Sequence, residues 1–267
     1  MSITATPHQV VSREQWIEAR KRLLAKEKEA TDLQDRLAAE RRKLPWVKVD
    51  KIYLFDTPTG KVSLDSLFDG RSQLVVYHFM FAPDWEEGCP SCSYVSDHTD
   101  GRLPHLAARD VTWVAVSRAP VAKIEEFKKR MGWRFGWVSS NGSDFNYDFH
   151  VSFTPEEIAK GKVNYNYTEE EFPSAEAPGV SIFYKDAEGN IYHTYSTYGR
   201  GVEVLLGTYR VLDLVPKGRD EDNLDFSMSW VRYHDKYGTD EFADADKPYW
   251  PEEASESVAK CGCEAKS

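Results

Sequence analysis

Two cysteines with a two-residue spacing are the side chains of this sequence best suited to chemistry. The stretch Cys89-Pro90-Ser91-Cys92 contains two of the four cysteines among 267 residues. It follows an apolar run, residues 74–81, which predicts a buried strand. A strand that ends at this motif places Cys89 at the start of a helix, where free backbone N–H groups and the helix dipole favour a thiolate. We therefore predict that Cys89 attacks disulfides and that Cys92 resolves the mixed disulfide.

The same pair of thiols also allows two purely structural interpretations. It could be half of a zinc site, but a closed site needs about four ligands. The other two cysteines, in Cys261-Gly262-Cys263, lie far away in a polar stretch. The pair could instead be two buried, inert thiols. The Cys261-Gly262-Cys263 pair is either without function or a flexible element that resolves an oxidised Cys89 or presents a soft metal.

A metal-binding protein is the alternative from a different functional class. His78 lies on the predicted strand, and His98 comes six residues after Cys92. Two thiolates and an imidazole suit copper, so Cys89, Cys92 and His78 are the candidate ligands of a copper or zinc carrier. The leading interpretation needs no metal. It also needs no organic cofactor, since we find neither a convincing Gly-rich dinucleotide loop nor a P-loop.

Composition narrows the range of partners. The net charge is −10 and the isoelectric point about 5.3, so no basic field is available to neutralise nucleic-acid phosphates. No stretch approaches the roughly 18 apolar residues of a membrane span. The N-terminal stretch lacks the cationic start and apolar region of a signal peptide, and four cysteines do not make a disulfide scaffold. We expect a cytoplasmic protein that acts on a disulfide-containing protein or a small thiol or disulfide and is reset by a cytosolic reductant.

The pattern of residues predicts three segments. Residues 1–46 are a helical extension, and residues 47–237 form one α/β domain with a long, irregular, aromatic-rich insertion at 139–177. Residues 238–267 are acidic and polar, and we expect them to be poorly ordered.

A long helix is predicted over residues 12–44. Ser12 and Gln15 make a capping box at its start, and Pro45 ends it. Its apolar stripe is loose and surrounded by charge. We consider two interpretations, an appendage with a solvated face and an arm that forms a homodimer; the irregular stripe favours the appendage.

The middle of the chain alternates strands and helices. After the cysteine motif, which opens a helix, an apolar strand, an amphipathic helix and a further short strand imply parallel pairing through right-handed crossovers. A hairpin and a closing helix follow. The predicted ranges are strands 74–81, 111–116 and 135–138, helix 120–131, hairpin strands 180–184 and 191–196, and helix 201–212.

Several longer stretches carry a family resemblance. They are LPWVKV, YHFMFAPDWEEGCPSCS, VAVSRAP, FKKRMGWRFGWVSS, DFNYDFHVSFTPEE, HTYSTYGRG and PKGRDED. Together they resemble a bacterial thioredoxin-like family called domain of unknown function 899, over about residues 10–237. The resemblance implies a thioredoxin-like fold, with a central mixed sheet flanked by helices, and does not supply a substrate.

Thioredoxins imply further site residues. They place a tryptophan directly before the first cysteine, where this sequence has Gly88, with Trp85 further back. Their substrate-docking strand corresponds to the stretch that begins at Gly179 and Val180. We therefore take Trp85, Gly179 and Val180 as candidate substrate-binding residues, together with Arg118 of the Ser-Arg-Ala-Pro stretch as a candidate anion contact.

The stretch before the cysteine strand also looks like the start of a peroxiredoxin. That family places a threonine four residues and a cysteine seven residues after a proline. Counted from Pro83, those positions hold Glu87 and Pro90. The hydroxyl that orients a peroxide is therefore missing unless Ser91 or Tyr94 replaces it, and a thiol peroxidase is the further alternative.

Overall fold

Eight strands form one mixed sheet at the centre of the protein. The computed structural model describes residues 8–237; the predicted tail and its Cys261-Gly262-Cys263 pair lie outside them. The sheet has the order β1-β10-β9-β4-β5-β6-β2-β3, and a separate hairpin pairs β7 with β8. The strands are β1 (Val47–Lys48), β2 (Leu54–Thr57), β3 (Gly60–Ser63), β4 (Gln73–His78), β5 (Val111–Ser117), β6 (Gly136–Ser139), β7 (Val163–Tyr165), β8 (Thr168–Glu170), β9 (Gly179–Lys185) and β10 (Ile191–Tyr198).

Seven α-helices and three short 3-10 helices complete the described part of the chain. The α-helices are α1 (Arg13–Arg41), α2 (Pro90–Ser96), α3 (Leu103–Ala107), α4 (Val121–Arg130), α5 (Phe145–Asp148), α6 (Pro155–Ala159) and α7 (Gly207–Leu212). The 3-10 helices are Asp65–Phe68, Asp100–Arg102 and Gly199–Leu205. Within residues 8–237, no helix combines the length and the apolar character that crossing a bilayer requires.

The centre of the sheet has the predicted thioredoxin-like arrangement. β4 pairs in parallel with β5, and β5 in parallel with β6, because α2 with α3 and then α4 carry the chain back between them. β9 pairs antiparallel with β4, and β10 antiparallel with β9. The fold class predicted from the sequence is therefore confirmed. The cysteine motif follows β4, the strand between β9 and β5.

The two faces of the sheet bury two separate apolar cores. Side chains alternate across a strand, so neighbouring residues of β4 point to opposite faces. Tyr77 belongs to the core that also contains Cys92. The next residue, His78, lies against Phe145 and Phe149 of the other core. This alternation decides which β4 side chains reach the thiols.

Helix α1 begins with the predicted capping box, in which Ser12 and Gln15 exchange hydrogen bonds. None of its 29 residues is buried. Its larger apolar side chains are exposed, including Trp16, Leu23 and Leu37. The homodimer interpretation of this helix stays a prediction.

The insertion 139–177 is more regular than the sequence predicts. It contains α5, α6 and the β7–β8 hairpin, and its aromatic side chains bury themselves against the second face of the sheet. Ser152 and Glu176 form a β-bridge within it. The Glu176 carboxylate is 1% exposed and accepts hydrogen bonds from Ser152 Oγ at 2.6 Å and Arg118 Nη1 at 2.8 Å. Arg118 follows β5, so this ion pair ties the insertion to the sheet.

We expect Arg118→Met to lower the free energy of unfolding by about 3 kcal/mol at pH 8, because it leaves a buried carboxylate without its cation. Burial raises the pKa of Glu176 to about 7. The group can therefore take up a proton at lower pH, and a neutral carboxyl needs no cation. The loss should be clearly smaller at pH 5. Urea unfolding at the two pH values measures this difference.

Arg134→Met is the matched control. The Arg134 side chain is 84% exposed and lies 3.8 Å from Asp100, so its removal should change stability by less than about 1 kcal/mol. Equal losses for Arg118→Met at pH 5 and pH 8 would contradict a charged Glu176.

Candidate dithiol site

Helix α2 starts directly after Cys89, as the sequence predicts. Cys89 is the N-cap residue, and Pro90 occupies the first turn, where its missing N–H leaves no lost bond. The backbone N–H of Cys89 donates to the carbonyl of Met80 at 3.0 Å. The Cys89 carbonyl accepts from the backbone N–H and the hydroxyl of Ser93 at 2.9 and 3.0 Å. These bonds fix Cys89 beyond the carboxyl end of the central strand β4.

Hydrogen bonds stabilise the thiolate form of Cys89. The largest contribution comes from the Cys92 thiol, which donates to the Cys89 sulfur. The backbone N–H groups of Cys92 and Ser91 and the Ser91 hydroxyl add to it, against the opposing effect of burial. Together they lower the pKa of Cys89 to about 7. A thiol with this pKa is substantially ionised near neutral pH, which makes it a nucleophile.

Cys92 has the opposite character. Its side chain is 1% exposed, and burial raises its pKa well above the ordinary thiol value. The neighbouring Cys89 thiolate raises it further. The backbone N–H of Met80 donates to the Cys92 sulfur at 3.5 Å, and the Tyr77 hydroxyl hydrogen-bonds the same sulfur. Both cysteines are free thiols, so the structure is that of the reduced pair.

The acidic residues beside the thiols are neutralised by basic partners. Glu86 lies 3.1 Å from Lys123 Nζ, and Glu87 pairs with Arg130 Nη1. Negative charges near a thiol raise its pKa. Pairing with Lys123 and Arg130 weakens this effect of Glu86 and Glu87 on Cys89. Both carboxylates lie at the solvent-exposed surface of the loop.

A cavity of about 1000 Å³ opens beside the thiols. Cys89, Ser91 and Cys92 form one side of it, and strand β4 contributes Tyr77. Much of the opposite wall comes from a single stretch of the chain, Pro216–Asn223 with Ser227 and Met228. The remaining lining residues are Met80, Val95, Phe172, Pro178, Gly199, Arg200, Val202, Glu203, Leu206 and Tyr209.

The predicted substrate-binding residues do not line this cavity. Trp85 is half-buried against the core on the thiol side of the sheet. Gly179 and Val180 are buried in β9, paired with His78 and Tyr77, while the preceding Pro178 reaches the cavity. Arg118 is held by Glu176, as described above. A substrate-binding role for these four residues stays a prediction.

The prediction that His78 is a candidate metal ligand is wrong. Its ring lies on the face of the sheet opposite Tyr77, stacked on Phe149, and its Nε2 is 2.8 Å from Ser181 Oγ. Burial lowers the pKa of His78 to about 3. Its position on β4 follows from the alternation of strand side chains, which sends it away from both cysteines. Across residues 8–237, no three side chains drawn from His, Cys, Asp and Glu gather closely enough to hold a metal ion.

Both ring nitrogens of His98, the other histidine near the motif, are engaged in hydrogen bonds. Its Nδ1 is 2.8 Å from the Tyr94 carbonyl, and its Nε2 is 2.7 Å from Thr208 Oγ1. Both ring nitrogens thus join α2 to α7.

Sequence reasoning missed two parts of the site, namely the Tyr77 hydroxyl and the wall at 216–228. The position of Tyr77 on a strand leading to the motif was a usable signal, whereas the wall shows no periodic pattern.

Gly88 explains why no tryptophan stands directly before Cys89. A Cβ at this position would lie 2.6 Å from Phe79 Cε1 and 2.9 Å from Phe127 Cε1. Both rings are buried. The carbonyl of Gly88 accepts a hydrogen bond from Tyr233 Oη at 2.6 Å. The loop therefore passes too close to the core for any side chain larger than hydrogen.

We expect Gly88→Ala to destabilise the protein by about 1–3 kcal/mol, because the added methyl group overpacks two fixed rings. Gly136→Ala serves as a control, since its Cβ would meet Val114 Cγ2 at 3.6 Å, an ordinary contact. Urea midpoints of the two variants and the parent measure the difference. Equal midpoints for both variants would show that the loop can move.

The rate at which iodoacetamide modifies Cys89 should rise with pH to a plateau, because only the thiolate reacts. We expect the midpoint near pH 7, from the pKa of about 7, and not near the ordinary thiol value of about 8.5. Cys92→Ala removes the main hydrogen-bond donor and should move the midpoint upward. Cys92→Ser keeps a hydroxyl donor and should leave it close to that of the parent. Mass spectrometry of the Cys89 peptide gives the rates, and identical midpoints for the two variants would contradict the hydrogen bond.

Comparison of the backbone shape with solved structures finds proteins that are similar to part of this chain, among them the following three. A variant of peroxiredoxin Q from Xanthomonas campestris is 15% identical, covers 59% of this chain and 90% of its own, and has a TM-score of 0.39. Peroxidoxin BcpB from Mycobacterium tuberculosis is 15% identical, with coverage of 63% and 97% and a TM-score of 0.39. A PrxQ variant from Xylella fastidiosa is 13% identical, with coverage of 60% and 88% and a TM-score of 0.38.

Among curated proteins, none matches the chain. A family model does match it, over residues 5–237, and is described as bacterial protein of unknown function (DUF899). The match spans nearly all of the described residues and includes the cysteine motif. The chain therefore belongs to the DUF899 family of bacterial proteins.

Proposed function

We propose that the protein is a thiol–disulfide oxidoreductase that uses the Cys89–Cys92 dithiol. One observation carries the proposal. The two thiols are hydrogen-bonded to each other, with the pKa of Cys89 lowered and that of Cys92 raised. This difference gives one sulfur the charge needed to attack and keeps the other protonated until it is needed.

The reaction proceeds in two exchanges. The Cys89 thiolate attacks a substrate disulfide, forming a mixed disulfide and releasing the first substrate thiolate. Cys92 then loses its proton to solvent or to the departing thiolate, attacks the Cys89 sulfur and releases the second thiolate. Two electrons pass from the dithiol to the substrate, and the protein is left with a Cys89–Cys92 disulfide. A thiol reductant returns it to the dithiol by the reverse exchanges.

Tyr77 and Met80 act in the second exchange. Once Cys89 is bound in the mixed disulfide, its negative charge no longer opposes ionisation of Cys92. The hydrogen bonds from the Tyr77 hydroxyl and the Met80 N–H lower the pKa of Cys92 against the effect of burial. Burial raises the pKa of Tyr77 well above its ordinary value, so its hydroxyl remains a donor. These two groups stabilise the thiolate that resolves the intermediate.

A thiol peroxidase is the second candidate, favoured by the position of one hydroxyl. The Ser91 hydroxyl hydrogen-bonds the Cys89 sulfur, as required of a group that replaces the missing threonine. In this reaction the Cys89 thiolate attacks a peroxide, breaks its O–O bond and becomes a sulfenic acid, and the other oxygen leaves as water or an alcohol. The sulfenic acid then condenses with the Cys92 thiol to a disulfide and releases a molecule of water. The Tyr94 ring instead packs against Tyr209 and Trp230.

Oxidation of the purified, fully reduced protein by bis(2-hydroxyethyl) disulfide tests the proposal, in a Cys261→Ser/Cys263→Ser background that leaves Cys89 and Cys92 as the only thiols. We expect the parent to lose two thiols and form an intramolecular disulfide, detected by mass spectrometry. Cys92→Ser should stop at a mixed disulfide on Cys89, because the resolving thiol is missing. Cys89→Ser should react about 100-fold more slowly or not at all, because the thiol that remains is buried and protonated.

Hydrogen peroxide in place of the disulfide separates the two candidates. A peroxidase consumes it at a rate that depends on both Cys89 and Ser91, so Ser91→Ala should slow peroxide consumption much more than disulfide exchange. An oxidoreductase shows fast exchange with disulfides and slow oxidation by peroxide. If Cys89→Ser exchanges as fast as the parent, neither proposal stands.

A further inference from the structure

The chain that follows α7 lies across the start of the cysteine helix. We call residues 216–235 the covering segment. Its Tyr233 hydroxyl donates to the Gly88 carbonyl at 2.6 Å, directly before Cys89. Its Trp230 ring packs edge-on against Tyr94 of α2, with ring centroids 5.8 Å apart. The covering segment therefore occupies the surface next to the attacking thiol.

Charged contacts hold the end of the covering segment in place. Arg130 Nε donates to Asp235 Oδ2 at 2.8 Å, and the Arg130 guanidinium lies 4.9 Å from the centroid of the Tyr233 ring. The Tyr233 ring also packs against Phe127, with centroids 5.6 Å apart. These contacts join the segment to α4, so it is anchored on both sides of the thiols.

Glu221 fixes the wall of the cavity. Its Oε1 accepts hydrogen bonds from Tyr209 Oη at 2.5 Å, Trp230 Nε1 at 2.6 Å and the backbone N–H of Met228 at 3.0 Å. Arg219 stacks on the same Tyr209 ring at 4.0 Å. A carboxylate with three donors in one place rigidifies the structure around it. The wall is therefore preformed.

We infer that the substrate is a small neutral or zwitterionic organic disulfide that enters this cavity, and that disulfides of folded proteins are excluded. The inference rests on the proposed function. Disulfide exchange depends on access to the attacking sulfur, and Cys89 lines a cavity of about 1000 Å³. That volume is at the upper end of the range for small-molecule sites.

The lining of the cavity matches such a molecule. Its buried lining is apolar and includes Val95, Val202 and Leu206. Its solvent-exposed lining carries both signs of charge, including Lys217 and Asp222. A cavity entrance that carries charges of both signs gives neither highly anionic nor highly cationic substrates an electrostatic advantage in binding. A compact substrate with an apolar body and polar ends fits both parts.

The electron balance is that of the two exchanges above. One small disulfide is reduced to two thiols while the protein gains the Cys89–Cys92 disulfide. A small-molecule thiol pair, oxidised in turn to its own disulfide, resets the protein through the same cavity. No protein reductant is needed.

The test compares two oxidants on the reduced, full-length protein in the same Cys261→Ser/Cys263→Ser background. Bis(2-hydroxyethyl) disulfide is the small substrate and insulin the protein substrate, and each rate is divided by the rate of the same oxidant with dithiothreitol. We expect the normalised rate to favour the small disulfide by about 100-fold, because the wall blocks only the larger partner. A normalised insulin rate equal to or above that of the small disulfide overturns the inference while leaving the proposed function intact. Failure of both oxidants to form the Cys89–Cys92 disulfide overturns the proposed function as well.

Cavity-filling variants locate the binding site. Val202→Phe places a ring inside the cavity. It should lower the rate of reaction with the small disulfide by about tenfold or more, as a tenfold weaker binding of that substrate would. Val211→Phe is the control, since Val211 is 59% exposed and does not line the cavity. If Val202→Phe does not fold, Met228→Trp at the wall replaces it. Iodoacetamide modification of Cys89 shows that the thiolate is intact in each folded variant, and an unchanged disulfide rate in a folded filling variant overturns the inference.

Discussion

The hydrogen bond from the Cys92 thiol to the Cys89 sulfur is the interaction on which the site depends. A charged sulfur in a partly buried position is unfavourable unless donors surround it. Here the Cys92 S–H is the largest such contribution, with two backbone N–H groups and the Ser91 hydroxyl beside it. The same bond keeps Cys92 protonated, since a second negative charge beside the first is repelled. Two chemically identical side chains thus acquire pKa values shifted in opposite directions.

The pleat of strand β4 decides which groups reach that pair. Tyr77 points to the thiol face and hydrogen-bonds Cys92, while His78 points to the face covered by the insertion. A shift of one residue in register would exchange them and bring an imidazole beside the cysteines. β4 pairs with both β5 and β9 along its length, so its register is fixed from both sides. The absence of a metal-type ligand set among the described residues is therefore a consequence of sheet geometry.

Much of the fold could be predicted from the sequence, because it rests on periodic signals. The amphipathic helix α4 and the β9–β10 hairpin each have a period that matches their observed structure, and the apolar run before the motif has the length and composition of a buried strand. The alternative that made His78 a metal ligand is wrong because the run at 74–81 is nearly all apolar, and such a run hides the alternation that separates the two faces. The covering segment could not be predicted, since residues 216–235 have no regular period and are held by individual side chains such as Glu221 and Tyr233. Contacts between residues more than 100 positions apart, as between Gly88 and Tyr233, leave no local pattern.

The chemical makeup of the covering segment bears on why it is there. A segment that served stability alone would gain most by burying apolar side chains, yet this one brings the Glu221 carboxylate into the cavity wall. Partial burial opposes the charge of Glu221, but hydrogen bonds from Tyr209, Trp230 and Met228 outweigh it and keep its pKa below the ordinary carboxyl value. Removing any one of these donors would leave a charged oxygen poorly satisfied, so α7, which supplies Tyr209, and the covering segment, which supplies Trp230 and Met228, cannot move independently. Such a network defines the shape of the wall at the expense of apolar contact. A wall of defined shape next to Cys89 is what the proposed binding of a small disulfide requires, and stability alone does not account for it.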